Sequence, residues 1–492
     1  MIRIGNSVLR QQKNFWNACV FHPTDAVEDP WGRRILDRMA EDGAIGTVRV
    51  YSMFEDIVYL DEEGGLCYDF RLSDLRLDYL MERGYDLLIA YAGIPDCIAS
   101  STQNKTTAAK NKTRYKGKMW NTAPPRDMRL WEEICYEYTK HNVERYGIET
   151  VEKWHCQCFN EPDISIFFLS QLPRDAVEAR LAEYCKLYEA FERGVRRVSD
   201  RIRIGGPALA HRHPFLGGFL DYVKEKRLKL DFISLHSYGT SPEMLNDKSR
   251  PLCVDSLMEK YRAYFDTVRA HGFGETPILI DEWGMASAGF YNREECPDLM
   301  ARETEVFSAY FVKLIERLIR SGLPMEMLAI CLSGQHEMVE DFSGFRNFFT
   351  LNFMKKPIYN AHILASRLGE NLMTAEHDGS VCVIPTKDAQ GNYAVLLSYS
   401  ADHFEESFPT ITETVTFEEN ITDQTVTVWC IDRTTTNPYR MWERAGKPEM
   451  TEALLKALRE EGNLKPVKIQ QGSEPITLSL TANCTYLITV TD

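Results

Sequence analysis

A (β/α)₈ barrel followed by an antiparallel β-sandwich is the α/β architecture this sequence predicts, on three observations. From residue 16 to about residue 370, strand-like and helix-like runs alternate, eight of each. Most of the strand-like runs are continuously apolar, as parallel strands covered on both faces are. After residue 372 the pattern changes to short runs rich in Val, Thr and Tyr, separated by turn residues. The expected division is a barrel over 14–370 and an accessory sandwich over 371–492, joined by 1–13.

The strand candidates are 16–22, 46–52, 86–93, 153–160, 201–207, 230–238, 277–284 and 326–334. The helix after the first, 30–43, has Pro30 near its start and Gly43 at its end. The next, 72–84, offers Ser73 as a cap. Apolar residues recur at helical spacing over 127–147 and 175–200, and 216–226, 256–272, 302–322 and 357–369 complete the set. The connection over 94–125 is long and Lys-rich, a solvated insertion of the kind that also walls substrate clefts. An open doubly wound sheet is the alternative, but neither G-x-G-x-x-G nor a Walker pattern occurs. In the C-terminal part, VCVIPTK, NYAVLLSYS, ETVTFEEN, QTVTVWCID, PITLSLT and CTYLITVTD read as strands, interrupted by a helix over 448–461. The N-terminal IRIG lies outside the first barrel unit and suits pairing with the sandwich.

Composition narrows the function classes. With 492 residues the chain needs more than one ordinary core. A 44% hydrophobic and 26% charged content is that of a soluble globular protein. The net charge of −15 argues against nucleic acid as a partner and favours a neutral substrate over a polyanionic one. No run reaches the roughly 18 apolar residues of a membrane span, and the N-terminus lacks a signal-peptide h-region, so the expectation is a cytoplasmic protein with no membrane partner. Thirteen scattered cysteines fit buried reduced thiols. The closest pair, in Cys156-Gln157-Cys158, shares one strand face, which suits packing better than chelation.

Catalytic groups of a barrel stand at the C-terminal ends of its strands. There the sequence offers Arg49 and Tyr51 (strand two), Asn160-Glu161-Pro162 (four), His236-Ser237-Tyr238 (six), Asp281-Glu282-Trp283 (seven) and, after strand eight, Gln335-His336-Glu337; strand one ends at His22. Carboxylates on strands four and seven face each other across the mouth. Cleaving a glycosidic bond with retention needs two such groups about 5–5.5 Å apart, one to protonate the leaving oxygen and one to attack the anomeric carbon. Arg49, Tyr238 or His236 would keep the attacking group ionised. Asn160 would hold a sugar hydroxyl, and Trp283 or Trp120 would offer a ring face. Strand alternation allows only one of Asp281 and Glu282 to face the axis, Ile278 and Ile280 going with Glu282, Leu279 and Trp283 with Asp281; spacing does not choose between them. His211-Arg212-His213 looks like a metal pair but lies in a loop without matching ligands at the strand ends, so no metal is expected.

These segments resemble glycoside hydrolase family 39, which contains β-xylosidases and α-L-iduronidases. The resemblance is carried by WNTAPPRDMRLWEEICYEYTKHNVERYGIETVEKWHCQCFNEPD at 120–163, GGPA at 205–208, DFISLHSY at 231–238, ILIDEWG at 278–284 and NPYRMWERAGKPEMTEALLKALRE near the C-terminus, in the family's order. The resemblance implies Glu161 as general acid/base and Glu282 as nucleophile, with Asn160, His236 and Tyr238 around the reactive sugar. It implies no metal and no organic cofactor, an oligosaccharide or glycoside substrate, and self-association into a homo-oligomer. Three positions depart from the family. Tyr51 stands where its β-xylosidases usually have His, Phe159 where Trp is common, and AICLSGQHEMVEDF, with His336 and Glu337, where an aromatic run ending in acidic residues is usual. Because these positions line the sugar subsite, the sugar is less fixed than the reaction. Xylose is the first expectation; arabinose, galactose, glucose or, last, a uronic acid are alternatives. A sugar-binding barrel without turnover, or a metal-dependent hydrolase or lyase using His211 and His213, would be the competing classes.

Overall fold

A computed structural model describes residues 1–106, 119–240, 254–287, 297–332, 334, 338, 340–402 and 408–492. Eight parallel strands close on themselves: Ala18–Phe21, Thr47–Tyr51, Asp86–Tyr91, His155–Cys158, Arg203–Leu209, Phe232–Thr240, Ile278–Ala286 and Met325–Leu332, called here strands one to eight. Strand eight pairs with strand one, Ala329 opposite Ala18, which rules out the open sheet. The barrel interior is filled by Ala18, Val20, Leu88, Phe232, Leu279, Met327, Ala329 and Cys331. The opposite faces of the strands pack under the helices in one large apolar cluster.

The surrounding helices follow the expected order with shifted ends. Met128–Tyr146 starts at Asp127, whose carboxylate accepts the Arg129 N–H, and stops at Gly147, at φ 84°. Ser73 is not a cap. The helix begins at Arg71, and Ser73 is buried inside it, 3.5 Å from the Tyr138 hydroxyl; Asp69 takes the Arg71 N–H instead. The helix expected over 448–461 is Glu452–Glu461, with a separate short helix, Pro438–Arg444, before it. Gly446, at φ 84°, turns the chain between them.

The remaining strands form one nine-stranded sheet. It is mixed rather than purely antiparallel, because Ile2–Gln11 lies between Asn371–Glu376, antiparallel to it, and Thr410–Phe417, parallel to it. Tyr393–Tyr399 and Thr410–Phe417 are four positions apart in that sheet, about 19 Å if it were flat. The rings of Tyr393 and Phe417 are 5.1 Å apart, so the sheet folds over into a sandwich around one core. It rests on helix Glu305–Ser321, where the Ser398 hydroxyl donates to the Ala309 carbonyl and Lys313 pairs with Asp402. No helix among the described residues is long and apolar enough to cross a membrane.

Candidate active site

Strand two presents Arg49 and Tyr51 on its inner face, two residues apart, and strand six does the same with His236 and Tyr238. Arg49 is fully buried and would be costly there without partners. It has four. Its guanidinium donates to Glu282 at 2.9 Å, to Asn160 at 2.8 Å and to Gln157 at 2.9 and 3.0 Å, and pairs with Asp281 at 3.0 Å. Gln157 completes the ring by donating to Asp281 at 2.6 Å. Its neighbours Cys156 and Cys158 point outward into the apolar layer, as their alternation with Gln157 requires.

Strand seven departs from simple alternation. Leu235 and His236 are consecutive on strand six, but they pair with Ile280 and Glu282, leaving Asp281 as an extra residue in strand seven. This bulge lets Asp281 and Glu282 both turn inward to Arg49, so the expectation that only one faces the axis is corrected. Leu279 lies inside with them, whereas Ile278, Ile280 and Trp283 lie outside. Trp283 is therefore not a sugar platform: it is fully buried and stacks on Phe311, rings 5.8 Å apart.

Glu161 is reached by a different backbone device. Strand four ends in Phe159 at φ 65° and Glu161 at φ 46°, left-handed conformations that cost non-glycine residues about 1–3 kcal/mol. The Glu161 N–H donates to the Ala208 carbonyl at 3.0 Å, which fixes the turn. Just beyond it, buried Asp163 accepts the backbone N–H groups of Ala210, His211 and Arg212 at 2.8–3.0 Å, tying the loop after strand five to the Glu161 turn.

One atom each from Glu161, His236 and Glu282 lie within 4.8 Å of one another. His236 Nδ1 is 2.8 Å from Glu161 and 3.5 Å from Glu282, while Nε2 is 3.5 Å from Asp281. Burial opposes charge on His236, but Glu282 and Asp281 prevail and raise it to about 10, an imidazolium at neutral pH. Burial raises Glu161 above the ordinary carboxylate range, with the Glu282 charge adding to it and His236 opposing. Burial would raise Glu282 too, but His236, Arg49, Arg346 and the Tyr238 hydroxyl, which donates at 2.8 Å, hold it at about 2. The Tyr51 hydroxyl accepts from Arg49 at 3.2 Å and has Glu282 at 3.2 Å and the Asn160 carbonyl oxygen at 3.4 Å as alternative acceptors for its one proton; burial keeps this phenol protonated. The three-atom cluster is small enough to grip a cation, but a cation there would compete with Arg49 and the imidazolium for the same carboxylates.

These groups open into a cavity of about 810 Å³. Trp120 lines it, with its ring 6.0 Å from Phe167 and 6.1 Å from His22. His211 and His213 line it without joining a cluster of metal-ligand spacing among the described residues. His213 stacks on Tyr264 at 4.1 Å, and burial lowers both histidines. Gln335, His336 and Glu337 lie outside the described residues, as does 107–118 of the long connection after strand three. Arg346, in the chain following strand eight, was not anticipated. It lines the cavity and donates to the Tyr238 hydroxyl at 3.1 Å.

A closed parallel barrel with two carboxylates meeting over a sugar-sized cavity is the framework of a glycoside-cleaving hydrolase. Comparison with known proteins agrees: the model of glycosyl hydrolases family 39 matches residues 2–473. The chain belongs to glycosyl hydrolase family 39. It is 25% identical over 485 residues to a β-xylosidase of Caldicellulosiruptor saccharolyticus, covering 93% of this chain and 90% of that one. It is also 25% identical over 302 residues to the α-L-iduronidase of Canis lupus familiaris, covering 56% and 40%. Among solved structures, a monomeric β-xylosidase from Caulobacter crescentus CB15 superposes with a TM-score of 0.83 at 18% identity, covering 100% of this chain and 99% of that one.

Proposed function

We propose that this enzyme is a retaining exo-glycosidase that releases single sugars from short oligosaccharides by double displacement, with D-xylose in β linkage as the first candidate. Glu282 attacks the anomeric carbon while Glu161 protonates the departing oxygen. Glu161 then takes a proton from water as that water opens the glycosyl ester on Glu282. One observation carries the reading: one carboxylate oxygen of Glu161 lies within 4.8 Å of one of Glu282. That matches the close carboxyl spacing of about 5–5.5 Å used for covalent catalysis and falls well short of the roughly 6.5–9.5 Å that seats a water between the groups. The opposed shifts of the two carboxylates support the division of roles. The arginine, tyrosine and asparagine that crowd Glu282 are suited to the sugar hydroxyl nearest the reacting carbon.

Xylose ranks first because the relative that covers most of this chain is a β-xylosidase. Tyr51 and Arg346 at the mouth leave other sugars as the second reading. The eleven cysteines among the described residues form no disulfide, which supports a reducing, cytoplasmic setting. The test is a panel of aryl glycosides followed by anomer-resolved NMR of the first-formed sugar. β-Xyloside turnover with β-xylose appearing first is the expected result. α-Xylose first would end the double-displacement reading. Turnover confined to another glycoside would move the sugar while keeping the chemistry.

A further inference from the structure

Behind the mouth lies a knot of buried charge that the reaction itself does not use. Glu303 and Lys356 side chains are 1% and 2% exposed and pair at 2.7 Å. Glu303 also accepts the Gly344 N–H at 2.8 Å, and Lys356 donates to the Phe345 carbonyl at 3.0 Å. Arg302, equally buried, donates to the Gly344 carbonyl at 3.1 Å and to the Ala286 carbonyl at 2.7 Å. Three charged side chains thus grip residues 344 and 345 and bind them to the end of strand seven, four residues beyond Glu282. Gly344 is at φ 79°, and a Cβ there would press on Leu299 at 3.1 Å, so the turn admits little but glycine. The next residue to leave this grip is Arg346, which reaches Tyr238 at 3.1 Å; Tyr238 in turn reaches Glu282 at 2.8 Å. Buried ion pairs are on balance poor stabilisers compared with apolar packing, so stability alone does not account for this one.

We propose that Arg302, Glu303 and Lys356 are positioning residues that hold Arg346 against Tyr238 and so keep the Tyr238–Glu282 hydrogen bond and the cationic field on Glu282 in place. This rests on Glu282 being the nucleophile. Glu282 is faced by Arg49 and Tyr51 from strand two, Glu161 from strand four, His236 and Tyr238 from strand six, Asp281 from its own strand, and Arg346 from the chain after strand eight. Of these, Arg346 is the one joined directly in chain to the residues the knot grips, Gly344 and Phe345.

The test is the acidic limb of the pH profile of kcat/KM, read alongside the ¹³C carboxyl titration of Glu282, which needs no turnover. Arg346→Met should move both upward in pH, because a cation that favours the carboxylate is gone. Lys356→Met should move them the same way by about half a pH unit, a roughly three-fold loss on the limb. Lys356→Arg should restore them, and Lys356→Met added to Arg346→Met should move them no further. Should Lys356→Met unfold the chain, the paired change Glu303→Gln/Lys356→Met removes both partners of the ion pair together and serves instead. The proposal is overturned if these variants lower Tm with the limb and the titration unmoved, or if the shift is as large once Arg346 is already replaced. A carboxyl shift in a protein that hydrolyses no glycoside would keep the positioning role and overturn the proposed function. Hydrolysis that is lost in Glu282→Ala, with no shift in Lys356→Met, would do the reverse.

Discussion

The ends of strands four and seven each deliver one carboxylate to the same cavity, and they do it by opposite means. Glu161 sits on a left-handed turn and Glu282 follows a bulge. Their side chains are 16% and 11% exposed, so burial does not separate them. Their neighbours do. Glu282 has the shared imidazolium, a guanidinium, two phenols and a second arginine around it, whereas among the described residues Glu161 has one side-chain hydrogen-bond partner, His236, and otherwise feels mainly burial. In the proposed mechanism two chemically identical side chains become a persistent anion and a proton carrier because donors crowd one side of the mouth and are sparser on the other.

The strongest way to break this comparison is to remove the anion. Glu282→Ala should abolish turnover of every aryl glycoside, good leaving groups included, measured by steady-state release of the phenol. Glu161→Ala should cost about 10²–10⁴-fold on substrates with poor leaving groups and little on dinitrophenyl glycosides, which need no protonation. A uniform loss across leaving groups would take the acid role from Glu161.

The pH profile sharpens the same contrast. Under the proposed mechanism Glu282 must be ionised, so the rate should fall as pH drops through about 2, and Glu161 must carry its proton, so the rate should fall again as pH rises through its raised value. His236 lowers both groups, so His236→Gln should move both limbs upward and cost about 10–100-fold in kcat/KM through lost charge-assisted hydrogen bonding. Limbs moving in opposite directions would show that the imidazolium is not shared. Tyr51→Phe is the mildest change. Losing one hydroxyl from Glu282 and Asn160 should cost about 10-fold in kcat/KM, with Tm nearly unchanged by differential scanning calorimetry.

The barrel was legible because its strands are covered on both faces, and continuous apolar runs such as DLLIAY and MEMLAICL have few other uses. Glu161, Asn160, Arg49, Tyr51, His236 and Tyr238 were legible as polar groups at strand ends that a core would not tolerate. What escaped notice was set by backbone irregularity. A single extra residue in strand seven reversed the faces of everything after Asp281, turning Trp283 outward and admitting Glu282 beside Asp281. Period-two reasoning has no signal for that. Gln157 was hidden between two cysteines in a buried run, though a lone amide at an inward position was itself a cue. Arg346 follows strand eight in chain with no periodicity, and only the fold brings it to Tyr238. Two strands of the sandwich, Asn371–Glu376 and Pro466–Gln471, were missed because NLMTAE and PVKIQQ lack the β-branched density of their neighbours.

The strand Ile2–Gln11 has a bearing on how the molecule comes into being. Ile2 is matched with Val415, and Arg3 with Glu376, so a strand made before the barrel waits for strands made after it before its backbone amides find partners. Nearly all of the barrel is synthesised in the interval. Contacts of such long sequence separation form slowly, and an unpaired strand is an invitation to the wrong neighbour meanwhile. Once in place, the same strand acts as a clasp, holding the segment before the barrel to strands that follow it, and a nick between them would leave the two pieces still fastened to one another.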